Sequence, residues 1–223
     1  FYICLLINTI LSVALPFMLG ALTQTGEKMT VASGVLTALS SGVGIIETIF
    51  ITIFVCNDFS EGATKNFIAR GYTRRQLLTA KFFVSVISTM VFLLVNIVGT
   101  FVFYSKNGMG FDSSIILYVI GSLAVLFANV GLYVVISNTV EKLGIAIAIN
   151  LILPNVVSLL FPAISAITKS DVNFSNYWIS GLTGLMSYTP TIKEMLLVVG
   201  LSFAYLVILF EISNYIIKKK EVK

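Results

Sequence analysis

Apolar residues along the chain fall into six long runs separated by short polar connections. The runs cover residues 1–22, 31–56, 82–104, 113–138, 143–168 and 195–217. A transmembrane helix uses about 20 predominantly apolar residues, so each run is long enough to span a bilayer. The pattern predicts an all-α integral membrane protein with six transmembrane helices in a single domain, 1–223. Glu47 interrupts the second run and Glu211 the sixth. Pro154 and Pro162 lie inside the fifth, where a kink or break is expected because proline frees a carbonyl that neighbouring helices or water must satisfy. The first run opens at residue 1 without a methionine, so a natural segment ahead of it is expected. A secretory signal is the rival reading, but the run lacks a basic leading region and a clear small-residue cleavage pattern.

Charge orients these elements. If residue 1 is cytoplasmic, the inner connections hold Lys65, Arg70, Arg74, Arg75, Lys81, Lys142, Lys218, Lys219, Lys220 and Lys223, ten of the fourteen cations. The outer ones hold Lys28, Lys106, Lys169 and Lys193. This is a positive-inside bias, and six spans then leave both termini in the cytoplasm. Composition agrees: 57% of residues are hydrophobic, 11% are charged and the mean hydropathy is +1.01, which excludes an ordinary soluble domain. The pI near 9.0 reflects this inner basic surface and calls for no nucleic acid. Localisation in a cell membrane, as a multi-pass protein in contact with the lipid bilayer, follows.

Absences remove several chemistries. There is no histidine, and the two cysteines, Cys4 and Cys56, cannot build a four-thiolate metal site. Both fall toward the reducing inner side and read as small packing residues. No G-x-x-x-x-G-K-[ST] sequence occurs, so the chain has no P-loop. No catalytic residue, cofactor-binding residue or metal ligand is assigned, and the chain is not expected to be an enzyme. Small-residue patches such as Gly121, Ala124 and Ala128 suit close helix packing without identifying a partner.

Two connections stand out. The segment 169–194 precedes the last run and is rich in Asn, Ser, Thr and Gly, with Tyr177, Trp178 and Tyr188. It reads either as a partly re-entrant external element or as an ordinary aromatic belt. The loop 57–81 is the longest inner connection and is basic. Asp58 or Ser60 can cap a short helix, Glu61 suits its positive end, and Arg70-Gly71 suits its C-terminus. Thr73-Arg-Arg-Gln76 has the form of a capping box opening a second helix that continues through Lys81 into the third run. Ala63, Phe67 and Phe59 give the first helix an apolar edge flanked by cations. Such an element docks in a groove of a cytoplasmic partner, or lies on anionic headgroups; charge alone favours the latter.

The stretch from Glu61 to Lys81 resembles the loop between the second and third spans of type-two ABC exporter permeases, most nearly the small bacterial permeases for lantibiotics, bacteriocins and other membrane-active peptides. Glu61, Gly62, Thr64, Lys65, Gly71, Thr73, Arg74 and Lys81 match the family pattern, and Ala63 departs from it. The likeness extends more weakly over the whole chain, and departs at the N-terminus, where the family carries an amphipathic cytoplasmic helix. The resemblance implies that 57–81 is a coupling helix through which Glu61, Thr64, Lys65, Phe67, Ile68, Arg70, Gly71 and Arg74 engage an ABC ATP-binding subunit. It implies two copies of that ATPase, a second permease chain as a homodimer, and ATP and Mg bound by the ATPase, with no cofactor on this chain. The function implied is export of an amphipathic peptide or hydrophobic compound. The alternative is a non-transporting immunity or scaffold protein whose basic loop binds lipid.

The two intramembrane acids remain. Glu47 lies about ten residues, or roughly 15 Å, from the inner end of its run and so near the midplane. A carboxylate there costs several kcal/mol unless protonated, paired or facing water, so Glu47 either lines a pathway and attracts a cationic peptide, or is a protonated structural element held by Ser, Thr or Asn of a neighbouring helix, with Asn96, Asn129 and Asn150 available in other spans. Glu211, about two turns before Lys218, reads as an inner-interface anchor neutralised by Lys218, Lys219 and Lys220.

Overall fold

The computed structural model describes residues 2–22, 44–60, 63–106, 115–140, 142–168, 174–186 and 191–219. Every regular element among them is helical. In chain order they are α1 (Tyr2–Leu22), α2 (Gly44–Ser60), α3 (Ala63–Ala69), α4 (Arg74–Lys106), α5 (Ile115–Thr139), α6 (Leu143–Thr168), a 3-10 turn (Phe174–Tyr177), α7 (Ile179–Leu185) and α8 (Ile192–Lys219).

Four of these helices are long and apolar enough to cross a membrane: α4 over Arg74–Gly99, α5 over Ile116–Thr139, α6 over Leu143–Ile164, and α8 over Ile192–Lys219. Tyr2–Leu11 and Gly44–Asn57 are shorter apolar helices. Their apolar residues fill the core and also cover the outside. On α6, Ile152, Val156, Leu159 and Leu160 are all exposed, and on α4 so are Phe83, Ile87 and Leu94. Water does not tolerate such a continuous apolar surface, whereas hydrocarbon solvates it at no cost.

The middle helix is α5, packed against α2, α4, α6, α7 and α8. Three clusters surround it. Tyr118, Val125, Ala128 and Leu132 of α5 meet Ile179, Leu182 and Met186 around α7 and Met195 and Val198 of α8. Val130, Tyr133 and Val134 meet Ile51 and Val55 of α2 and Leu78 and Phe82 of α4. Leu126 joins Ile46, Phe92 and Leu93, with Cys4, Leu5 and Leu11 of α1 packed behind them. Gly121 allows the closest approach in the first cluster, since a Cβ there would overlap the sulfur of Met186.

The third run is longer as a helix than as a hydrophobic stretch, because its polar first turn belongs to the same α-helix as its apolar body. The fifth is one continuous helix with Pro154 and Pro162 inside it. The Pro154 carbonyl accepts from Trp178 Nε1 at 3.3 Å and from Ser180 Oγ at 3.2 Å. The loop before α8 thus docks onto this stretch of α6. Trp178 also lies against Phe161 and Tyr205, with ring centroids 6.1 and 6.0 Å away. Tyr205 in turn donates to the Tyr177 carbonyl at 2.8 Å. The aromatic residues of this segment therefore anchor α7 among α5, α6 and α8, where Ile179 and Leu182 are buried. Tyr188 lies outside the described residues. At the start of α8, Glu194 accepts from the Thr191 backbone N–H at 2.7 Å, one half of a capping box.

Candidate functional site

The junction between α3 and α4 is built by local chemistry. Gly71 has φ +92°, a left-handed conformation that glycine adopts without penalty. The Gly71 N–H donates to Ile68 O at 2.9 Å and the Tyr72 N–H to Phe67 O at 3.2 Å, the paired bonds of a Schellman C-cap. The apolar contact that accompanies this motif is also present, as Phe67 and Tyr72 pack edge to face with centroids 6.0 Å apart. Immediately afterwards Gln76 Oε1 accepts from the Thr73 N–H at 2.9 Å, and Thr73 Oγ1 accepts from the Gln76 N–H at 3.3 Å. This reciprocal capping box starts α4. One helix is stopped and another started within four residues, leaving Phe67, Arg70 and Tyr72 exposed.

The start of α4 is tied to the end of α8, about 140 residues later in the chain. Arg74 Nη1 donates to Ile217 O at 3.1 Å and to Lys218 O at 3.4 Å, placing a cation on carbonyls at the negative end of that helix. Arg75 Nη2 lies 3.6 Å from Glu211 Oε1. About two turns deeper into the bundle Phe82 meets Phe210 edge to face at 5.3 Å. Among the described residues the ion-pair partner of Glu211 is thus Arg75 rather than Lys218 or Lys219, and Asn214 Nδ2 donates to its other oxygen at 3.2 Å. Lys219 instead sits over the Tyr215 ring at 4.6 Å. Lys81 turns inward: it is buried, with Nζ 3.4 Å from Val55 O near the end of α2.

Of the coupling residues expected from sequence, Phe67, Arg70 and Gly71 are exposed, while Thr64, Ile68 and Arg74 are half-buried. Glu61, the side chain of Lys65, and Lys220 lie outside the described residues, as do the side chains of Phe59 and Ala63. Tyr72 is the residue that sequence reading passed over. Its signal was its place directly after the capping glycine, where an apolar side chain folds back onto the helix.

A second polar region runs through the bundle. Glu47 is fully buried, and Thr89 Oγ1 of α4 donates to its Oε1 at 2.8 Å. Its Oε2 has no hydrogen-bond partner. The asparagines expected beside it serve elsewhere. Asn150 donates to Thr52 Oγ1 at 2.8 Å and to Ser137 Oγ at 3.1 Å, joining α6, α2 and α5. Asn96 is buried with its carbonyl oxygen unpartnered, and Asn129 borders a cavity. Thr48, next to Glu47, turns its hydroxyl back to the Gly44 carbonyl at 2.6 Å. Asn138 donates to Ser213 Oγ at 2.7 Å and fixes α5 to α8. Away from water each bond between helices holds its pair in register, because breaking it leaves a polar group in an apolar medium.

The cavity, about 420 Å³, opens between α2, α5, α6 and α7. Hydroxyl and amide groups supply part of its wall, among them Thr48, Ser122, Asn129, Tyr133, Asn150 and Thr183, and among the described lining residues none is charged. Among the described residues no group of three His, Cys, Asp or Glu side chains is placed to hold a metal ion.

What this architecture defines is an all-helical membrane protein with a capped, exposed turn at one end and, within the bundle, a cavity of mixed apolar and neutral polar lining. No protein-family model matches the chain, and no curated protein matches it either.

Proposed function

We propose that this chain is the membrane permease subunit of an ABC exporter, moving an amphipathic peptide or hydrophobic compound with ATP hydrolysed by a separate subunit. The observation that carries the reading is the α3–α4 turn: an exposed pair of aromatic rings beside Arg70, rigidly capped on both sides and braced by Arg74 and Arg75 against α8. An apolar anchor flanked by a cation is what a groove on another protein recognises, and the bracing lets a push on the turn reach a helix long enough to span the membrane. A loop that merely rests on headgroups needs charge but no such bracing. In this reading the chain has six spans and cytoplasmic termini, 57–81 couples to the ATPase, and 169–194 is partly re-entrant from the outer side of a bacterial cell membrane. The functional unit is a homodimer with two ATPase subunits, which hold the ATP and Mg.

The test is whether a P-loop ATPase is encoded beside this chain and, co-expressed with it, purifies with it. Phe67→Ala and Arg70→Ala are expected to uncouple ATP hydrolysis from transport while the membrane part stays folded. Co-purification of the ATPase unchanged by disruption of the whole of α3 overturns the reading. So does a turn that binds only anionic vesicles, with a salt dependence set by screening and no ATPase attached.

A further inference from the structure

We infer that the exposed flank of α4, at the start of that helix, seats the phosphate of a membrane phospholipid, with an acyl chain lying along the helix beyond it. A shallow groove of about 430 Å³ there is lined by Thr73, Arg75, Gln76, Thr79, Ala80 and Phe83. Arg75, Thr79 and Phe83 follow one another at intervals of four, and Gln76 and Ala80 do the same beside them, so they share one face of the helix. Along that face the chemistry changes from polar to apolar. Phe83 is exposed, and Ile87, Met90 and Leu94 continue the exposed strip for about 16 Å beyond it. The membrane-spanning stretch of α4 begins at Arg74, so the polar end of the strip stands at headgroup level and the rest among acyl chains.

The groups left free at the polar end are donors. Gln76 Oε1 is taken by the Thr73 N–H and hydroxyl, and the Gln76 N–H by Thr73 Oγ1, so the capping box uses up the amides of the helix start and leaves the Gln76 side-chain nitrogen without a partner among the described residues. Arg75 lies 3.6 Å from Glu211, an ion pair beyond hydrogen-bond distance, and none of its guanidinium N–H groups is hydrogen-bonded among the described residues. Phosphate oxygens only accept, and a guanidinium holds two of them side by side. Charge selects phosphate over a neutral headgroup. Arg74, Lys218 and Lys219 join Arg75 where α4 starts and α8 ends, against Glu211, which does not line the groove. The groove includes none of Phe67, Arg70 and Tyr72, so the inference is independent of the exporter reading and of what docks on the α3–α4 turn.

Native mass spectrometry of the purified full chain in detergent counts the lipids it holds. The chain is titrated with dioleoylphosphatidylglycerol, with dioleoylglycerol, which lacks the phosphate, and with glycerol 3-phosphate, which lacks the tails. Saturable binding of a first phosphatidylglycerol is expected, with both comparators at least about tenfold weaker, the worth of one charge-assisted hydrogen bond. Arg75→Gln and Gln76→Glu are each expected to weaken phosphatidylglycerol by at least about tenfold. Gln76→Glu keeps the acceptor of the capping box and replaces the amide donor by a carboxylate, so its loss does not come from a broken start of α4. Lys219→Gln removes the same unit of charge outside the groove and is expected to cost less than Arg75→Gln. A comparator within tenfold of phosphatidylglycerol overturns the inference, glycerol 3-phosphate by marking a free-anion site and dioleoylglycerol by marking an apolar one. A loss below tenfold in either groove variant overturns it too, as does a Lys219→Gln loss equal to that of Arg75→Gln, which would mean diffuse attraction to the basic end of the bundle. Because the comparators are read on the unaltered protein, the test stands even if a variant fails to fold.

Discussion

The contact between Thr89 and Glu47 is the sharpest place to test how the bundle is held together. Both residues are fully buried, and the 2.8 Å bond between them is the one partner of the Glu47 carboxyl among the described residues. Thr89→Val keeps the shape of the side chain and deletes the hydroxyl, leaving the carboxyl with neither oxygen bonded. Orphaning a buried polar group costs about 1–3 kcal/mol, so a loss of about 2 kcal/mol is expected. Glu47→Leu/Thr89→Val removes both partners, and replacing a buried polar pair by apolar groups of similar shape is close to neutral, so the double variant is expected within about 1 kcal/mol of the parent. The coupling energy is then about 1–3 kcal/mol, well above the roughly 0.5 kcal/mol within which independent sites add. Equilibrium unfolding in mixed micelles of increasing SDS fraction, followed by Trp178 emission, measures all four corners of the cycle. Additive single-variant losses would refute the pairing, and a Thr89→Val variant as stable as the parent would show that the carboxyl does not depend on it.

Three further outcomes follow from local geometry. Gly71→Val is expected to cost about 1–2 kcal/mol purely through its left-handed backbone, because no atom lies within 4 Å of the added Cβ, and Gly71→Asn less; exchange of the Tyr72 amide hydrogen measures both, and equal protection in the two variants contradicts the C-cap. Gly181→Ala is expected to undock α7, since its Cβ overlaps the Ser175 carbonyl oxygen; the check is a red shift of Trp178 emission with greater acrylamide quenching. Arg74→Ala is expected to destabilise the end of α8 by about 0.5–2 kcal/mol, and Arg75→Ala by about 0–1 kcal/mol, because the Arg75–Glu211 pair is more than half exposed on both sides; the order is read from amide exchange near Lys218.

Some of this was legible in the sequence because it depends only on neighbours along the chain. The Schellman cap at Gly71 and the capping box of Thr73 and Gln76 are written within ten residues, and their bonds form wherever the segment sits. The helical class and its apolar lengths followed from composition and run length for the same reason, since a backbone in hydrocarbon must satisfy its own hydrogen bonds. The tertiary structure decided what lies across from what. Sequence singled out Glu47 and Glu211 as costly charges and offered the first a Ser, Thr or Asn of another span and the second the terminal lysines; the packing of α4 against α2 and α8 brings Thr89 and Arg75 opposite them. It marked Trp178 as interfacial, and the fold turned its indole onto a carbonyl of a proline-containing helix. The cavity left no trace in any one segment, because its wall is shared among four helices. A cap is a property of four to six consecutive residues, whereas a partner or a void is a property of the angle between helices. Apolar periodicity does not specify that angle, because many side chains of similar shape satisfy it equally well.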